Sequence, residues 1–438
     1  MGSKNIDENL RIVSMDVKDI RWPTSLGSHG SDAMHTDPDY SCAYVTIETN
    51  GPFKGNGLTF TCGRGTEIVK IAAKALSSLV INRHLKADIY SRFGEFWREL
   101  TSETQLRWLG PEKGVLHLAV AAIINALWDL WAKIENKPLW RLLTDMEPEV
   151  YKCWNSLPVL KLEFLEFLHS LMAAICFDNN FNDSRWLGYS DEYRRQLCKN
   201  YLKQGFTAFK LKVGQNLADD RHRCQLVREE IGQENKLMVD ANQIWDTNEA
   251  IEWMKNLADF KPLWIEEPTS PDDALGHAKI AKALRPYGIG VATGEQCMNR
   301  VMFKQFLQAN AMDFCQIDAA RIGGVNEILS VYLMANKFNV KVCPHAGGVG
   351  LCEMVQHLQM WDFSSVSCSK EDRYIEYVDQ QHEQFVNPTI VQNAHYLVPT
   401  APCYSTELKK SAIEQFEYPN GSEWQRMFRE GTFKENKS

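Results

Sequence analysis

The sequence predicts an α+β lobe followed by a parallel (β/α) barrel, and three observations point there. The first 65 residues are rich in β-branched runs and glycine turns, whereas Thr66 to Leu143 carries helical periodicity. From Gly205 onward, short apolar runs alternate with helical segments at the spacing of one βα unit. Most of those runs end in a charged residue or a histidine, and in a barrel such residues converge at one mouth.

At 438 residues the chain is too long for one ordinary compact domain. Its 48 Lys and Arg against 56 Asp and Glu leave a net charge of −8, which argues against a nucleic-acid partner. Twelve cysteines stand singly between Cys42 and Cys403 with no CxxC pair, the pattern of reduced thiols in an intracellular protein. The most apolar run, Leu116 to Ala132, is interrupted by Asn125 and Asp129. At about 17 residues it is short for a membrane span, so a buried helix and no membrane partner are expected. The N-terminal residues carry acidic side chains and no apolar run, unlike a signal peptide, and lack the Arg-rich look of a transit peptide.

In chain order, Ile12 to Ile20 and Cys42 to Thr49 read as strands, with Gly51, Gly55 and Gly57 punctuating the turn after the second. The loop at 26–40 between them contains His29, Asp32, His35, Asp37, Asp39 and Tyr40, and loops of this length are uncommon unless functional. Glu67 to Leu85 and Gly114 to Leu143 read as helical. The barrel runs are AFKLKVG, KLMVDAN, PLWIEEP, IGVATGE, FCQID and VKVCPHAG. They place Lys212, Asp240, Glu266, Glu295, Asp318 and His345 at separations of 28, 26, 29, 23 and 27 residues.

Lys210 and Lys212 lie two apart in an apolar strand and share a face. The plainer reading is an exposed edge strand. If the face is buried, the two ammonium groups repel by about 4 kcal/mol at about 4 Å, which favours a neutral lysine usable as a general base. Asp240, Glu266 and Glu295 could each be a helix cap or an acidic turn. Three carboxylates at one mouth, however, repel unless a cation sits among them, and an all-oxygen set without histidine suits Mg²⁺ better than zinc. His345 and Asp318 end neighbouring strands, where the carboxylate would orient the imidazole as a proton donor. Together these groups suit removal of a proton α to a carboxylate, with a metal ion holding the charge that develops.

The ordered motifs KLK, VDAN, IEEP, TGE, QID and PHAG resemble the mandelate-racemase-like group of the enolase superfamily, and KPLWRLL resembles its capping domain. Within that group the chain is similar to the L-fuconate dehydratase branch, through RWPTSLGSHGSDAMHTDPDYSCAYV, LRWLGPEKGVLHLA, LWIEEPTSPDD and CPHAGGVGLCEMVQHL, with YSTEL and YPNGSEW. The resemblance implies a modified TIM barrel, (β/α)7β, with an enolase-like α+β N-terminal capping domain. The capping domain would span 1–145 with its substrate loop at 26–40, the barrel 186–370, and a segment packing back on the capping domain 371–438. It implies Lys212 as the base at C2, His345 as the acid at the C3 hydroxyl with Asp318 behind it, and Asp240, Glu266 and Glu295 as Mg²⁺ ligands. Substrate contacts would come from Gly30, Ser31, Asp32 and Tyr40 of the loop, and from Lys210, Asn242, Glu295, His345, Ala346, Gly347 and Glu376 of the barrel. The implied reaction is dehydration of L-fuconate to 2-keto-3-deoxy-L-fuconate in L-fucose catabolism, in the mitochondrion or the cytoplasm. A racemase or epimerase on the same fold, and a homo-oligomer, stay open.

The resemblance lapses across 146–185. There YKCWNSLPVLKLEFLEFLHSLMAAICFDNNFN reads as an apolar, helix-like run, and little strand-like sequence precedes Trp186. Because of this atypical segment, a catalytically impaired form without a complete first barrel strand stays open as an alternative to the active dehydratase.

Overall fold

A computed structural model of the chain describes residues 6–27, 29–146, 170–177 and 190–433. The capping lobe opens with an antiparallel sheet of β1 (Ile12–Arg21), β2 (Ser41–Thr49) and β3 (Lys54–Thr61), in that order. Helices α1 (Thr66–Ala75), α2 (Phe93–Thr101), α3 (Gly114–Ile134) and α4 (Leu139–Thr144) follow. Gly51 lies in the turn, but Gly55 and Gly57 belong to β3, which corrects their reading as turn residues. A side chain at either would strike the backbone at Ala126, so these glycines let α3 lie directly against the strand.

Helix α1 ends at Ala75, short of the helix read through Leu85. Beyond it the chain turns at Asn82, which adopts φ 68°, and returns to β1. Ile12 N–H donates to Arg83 O at 3.0 Å and Asn82 N–H to Ile12 O at 2.9 Å. Helix α3 is buried along nearly all its length, as its apolar composition predicts. The two polar residues that interrupt it are connectors. Asn125 donates to Leu58 O and Ala319 O at 3.3 and 3.2 Å. Asp129 accepts from Asn56 N and Tyr404 N at 2.9 and 2.8 Å. One helix thereby joins the capping sheet, the barrel and the C-terminal segment.

The barrel strands are β4 (Ser170–Phe177), β5 (Ala208–Lys212), β6 (Lys236–Asp240), β7 (Trp264–Glu266), β8 (Gly290–Thr293), β9 (Phe314–Cys315), β10 (Lys341–Val342) and β11 (Ile375–Tyr377). Between them run α5 (Asp191–Lys203), α6 (Leu217–Ile231), α7 (Thr247–Leu257), α8 (Ala274–Leu284), α9 (Arg300–Gln308), α10 (Val325–Lys337) and α11 (Leu351–Ser365). This is the (β/α)7β barrel with an α+β cap. Each strand from β4 to β10 pairs in parallel with the next, and β11 pairs in parallel with β4. Among the described residues no backbone ladder joins β10 to β11. Side chains bridge them instead: Tyr374 N–H donates to Cys343 Sγ at 3.4 Å, and Lys341 pairs with Asp372 at 2.7 Å.

Two boundaries are corrected. The helix-like run in 146–185 contains β4, flanked in parallel by β5 and β11, so the barrel starts before residue 186. Its last strand, β11, lies beyond residue 370. A strand with parallel neighbours on both sides need not alternate, so an apolar run such as SLMAAICF gives no period to distinguish strand from helix. The remainder of the 146–185 segment, apart from Met146, lies outside the described residues.

Among the described residues, polar side-chain caps start five of the seven barrel helices. Ser190, Asn216, Asp246, Asp273 and Asn299 each accept from backbone N–H groups of the helix that follows. The chain ends with β12 (Val391–Gln392), β13 (His395–Leu397), α12 (Lys410–Phe416) and α13 (Ser422–Glu430). β13 pairs antiparallel with β4. The last two helices lean on β1, where Trp424 Nε1 donates to Arg21 O at 2.9 Å and Tyr418 N–H to Asp19 O at 2.8 Å.

Candidate active site

The C-terminal ends of the barrel strands and the capping loop enclose a cavity of about 360 Å³. Lys210 and Lys212 lie on β5, Asp240 and Glu266 end β6 and β7, and Glu295 follows β8. Asp318 and His345 follow β9 and β10 and form a parallel bridge between those strands. Glu376 lies on β11. Gly30, Asp32 and Tyr40 approach from the capping lobe.

Of the residues expected at the site, Gly30, Asp32, Tyr40, Lys212, Asn242, Glu295, Asp318, His345, Gly347 and Glu376 line the cavity itself. Lys210, Asp240 and Glu266 are buried in its floor. Ser31 and Ala346 are fully buried and do not line it. Gly30 adopts φ 77°, and a Cβ there would overlap the Tyr40 ring, so only glycine seats that tyrosine. Tyr40 in turn meets Phe60 edge-on at 5.1 Å.

The two lysines are embedded among carboxylates as well as set beside each other. Lys212 Nζ lies 2.7 Å from Asp240 Oδ2. Lys210 Nζ lies 2.8 Å from Glu266 Oε1 and 3.4 Å from Asp240 Oδ2, and it also pairs with Glu376. Negative charge is still in excess. Burial, together with the charge of Asp240, pushes the Glu266 carboxyl up to about 8 despite Lys210. Asp240 moves the other way: burial alone would raise it, but Lys212 and Lys210 outweigh that and lower it. Burial and the charge of Glu295 raise Glu267 well above the ordinary carboxylate range.

Carboxylate oxygens of Asp240, Glu266 and Glu295 lie within 4.8 Å of one another. A hard divalent ion with oxygen ligands fits that donor set, and its charge would offset the excess. Next to it, His345 Nδ1 lies 2.9 Å from Asp318 Oδ2, while Nε2 lies 3.6 Å from Glu295 Oε2. Asp318 is fixed through its other oxygen, which accepts from Ala320 N and Arg321 N at 2.7 and 3.0 Å. Burial would lower the imidazole pKa, but Glu295, Glu376 and Asp318 outweigh it and raise it to about 9. His345 therefore carries a proton at neutral pH.

The cavity also holds residues beyond those expected to touch substrate, of which the sequence had marked only His35, as part of the polar capping loop. His35, Arg64 and Arg321 line it, as do Phe60, Val69 and Leu118 on the capping side. Arg321 stands three residues after Asp318 on the same strand-end loop, which is a local signal. Arg64 comes from the turn between β3 and α1 and the apolar wall from β3, α1 and α3, and only the docking of the two lobes brings them there.

Comparison with known proteins agrees with this architecture. Residues 16–144 match the model of the mandelate racemase / muconate lactonizing enzyme N-terminal domain, and residues 192–412 match that of the enolase C-terminal domain-like family. The chain is 55% identical over 434 residues to mitochondrial enolase superfamily member 1 of Homo sapiens, covering 95% of this chain and 98% of that one. The crystal structure of that human protein superimposes with a TM-score of 0.88 at 53% identity, over 95% of this chain and 98% of its own. L-galactonate dehydratase of Hypocrea jecorina is 45% identical over 427 residues, covering 93% and 94% of the two chains. L-talarate dehydratase of Polaromonas sp. JS666, solved with Mg and L-glucarate, shares the fold with a TM-score of 0.70 at 23% identity, over 92% and 96% of the chains.

Proposed function

The chain belongs to the enolase superfamily, in its mandelate-racemase-like group, and from that premise we propose that it is a Mg²⁺-dependent acid-sugar dehydratase acting on L-fuconate. The observation that carries this reading is the composition of one cavity. A lysine, Lys212, and a carboxylate-backed imidazole, His345, reach it from strands separated around the barrel by β4 and β11, above an all-oxygen acidic triad.

Asp240, Glu266 and Glu295 are the residues that would hold the ion. Bound there, Mg²⁺ supplies countercharge for the negative charge that develops on the substrate carboxylate. Lys212 takes the proton from C2. His345, held through Nδ1 by Asp318, gives the proton on Nε2 to the C3 hydroxyl, which leaves as water because hydroxide is a poor leaving group without an acid. The enol that remains becomes the 2-keto-3-deoxy acid. Lys210, Asn242, Glu376 and the loop residues position the acid sugar.

L-fuconate ends in a methyl group, and the apolar wall of Phe60, Val69 and Leu118 supports a substrate with such an end. The name of the Hypocrea relative supports the wider class of acid-sugar dehydratases. The name of the human relative supports a mitochondrial location, which organelle fractionation tests.

The same lysine–histidine pair also suits proton exchange at C2 from two sides, the racemase or epimerase reading. A panel of acid sugars incubated with Mg²⁺ and assayed for 2-keto acid separates them. Dehydration of L-fuconate is expected; inversion at C2 without loss of water refutes the proposal.

A further inference from the structure

Besides Asp32 and Tyr40, the capping loop presents an imidazole to the cavity. His35 lines the cavity, and its Nε2 has no hydrogen-bond partner among the described residues. Its Nδ1 lies 3.0 Å from Asp32 Oδ2 and 3.2 Å from Asp32 Oδ1. Asp32 is itself occupied with the loop. Its Oδ1 accepts from Met34 N and His35 N, both at 2.7 Å, and its N–H donates to His35 O at 2.8 Å. Most of the acceptor capacity of this buried carboxylate is thus spent on folding the turn and holding the ring. A carboxylate that fixes one nitrogen of an imidazole directs the other, and here the other is the nitrogen without a protein partner.

We propose that His35 of the capping loop contacts the acid sugar, through Nε2 on a hydroxyl of its carbon chain, and that Asp32 is the positioning residue that aims it. This rests on the acid-sugar reading of the cavity and deepens it. It changes the part played by Asp32: the aspartate acts on the substrate through the histidine rather than by touching it. It also explains why a polar loop from a separate lobe reads the sugar while the metal and the two proton-transfer groups stay on the barrel.

The test uses the full chain with Mg²⁺ and the acid sugar that it dehydrates best. His35→Ala should raise KM about tenfold or more, the loss of one substrate hydrogen bond. At saturation, kcat and C2 hydrogen exchange with solvent deuterium should change less than threefold. His35→Gln, whose amide reaches a similar place, should recover most of the loss. Asp32→Asn, which keeps an oxygen for the turn, should raise KM when His35 is present and add nothing in the His35→Ala background. Melting temperatures within a few degrees of wild type show that the loop variants fold. A wild-type KM in His35→Ala, with KM raised in Asp32→Asn, would make the aspartate the contact and overturn the inference alone. A wild-type protein that dehydrates no acid sugar overturns the functional reading and this inference with it.

Discussion

His117 Nε2 lies 2.6 Å from Glu327 Oε2, and both side chains are buried. One belongs to α3 of the capping lobe and the other to α10 of the barrel. Arg300 reaches the other oxygen of Glu327 at 3.0 Å and continues to Glu112 at 3.0 Å. Trp97 Nε1 donates to Gly323 O at 2.7 Å beside them. Val115 and Leu118, neighbours of His117 on α3, line the cavity. The clamp that docks the lobes therefore also sets a wall of the site.

Glu327→Ala leaves His117 and Arg300 without their buried carboxylate. Leaving a buried hydrogen-bonding group without its partner costs about 1–3 kcal/mol. Chemical denaturation should show a loss in that range, and KM for the acid sugar should rise because the α3 wall loosens. A variant as stable as wild type would mean that the apolar interface alone holds the lobes.

Glu266→Gln should uncouple Mg²⁺ from stability. A ligand that binds only the folded chain stabilises it by about 2.7 kcal/mol at a concentration 100 times its Kd. Wild-type protein should melt higher with Mg²⁺ than with chelator, and the variant should show little difference. An undiminished Mg²⁺ shift in Glu266→Gln would remove the triad as the metal site.

Lys212→Ala and His345→Asn should fail at different steps. The first should lose both dehydration and exchange of the C2 hydrogen with deuterium. The second should lose dehydration yet retain exchange, since Lys212 still removes and returns the C2 proton. Exchange that survives in Lys212→Ala and vanishes in His345→Asn would reverse the two roles.

His357, on α11, lies at the other contact between the lobes. Trp140 N–H donates to its Nδ1 at 3.4 Å, and its Nε2 lies 3.0 Å from Ser405 Oγ. Burial lowers its pKa from 6.5 to about 3. Between those values the unfolded chain binds a proton that the folded chain does not, so stability rises with pH across the interval. The contribution is complete above pH 6.5 and is lost on acidification, at about 1.4 kcal/mol per pH unit. Urea denaturation of His357→Gln should show a shallower acid limb between pH 4 and 6.5 than wild type. Parallel limbs would assign the slope to other groups.

The chain by itself determined much of this molecule. The strand-end motifs placed Lys212, Asp240, Glu266, Glu295, Asp318 and His345 one βα unit apart, and the (β/α) alternation told where their side chains meet. Such spacing is legible because each βα unit repeats the same local geometry. The first barrel strand was not legible. β4 has parallel partners on both sides, and an apolar run of eight residues carries no period of its own. Gly55 and Gly57 were misplaced for a related reason: they serve the close approach of α3, a partner remote in sequence. Only the tertiary structure decided that Lys210 sits among three carboxylates, that Arg64 and Val69 from the capping lobe line the same cavity as His345, and that Asp32 spends itself on His35. Those relationships depend on distances between elements, set when two lobes bury their shared apolar faces, and no local pattern of residues encodes them.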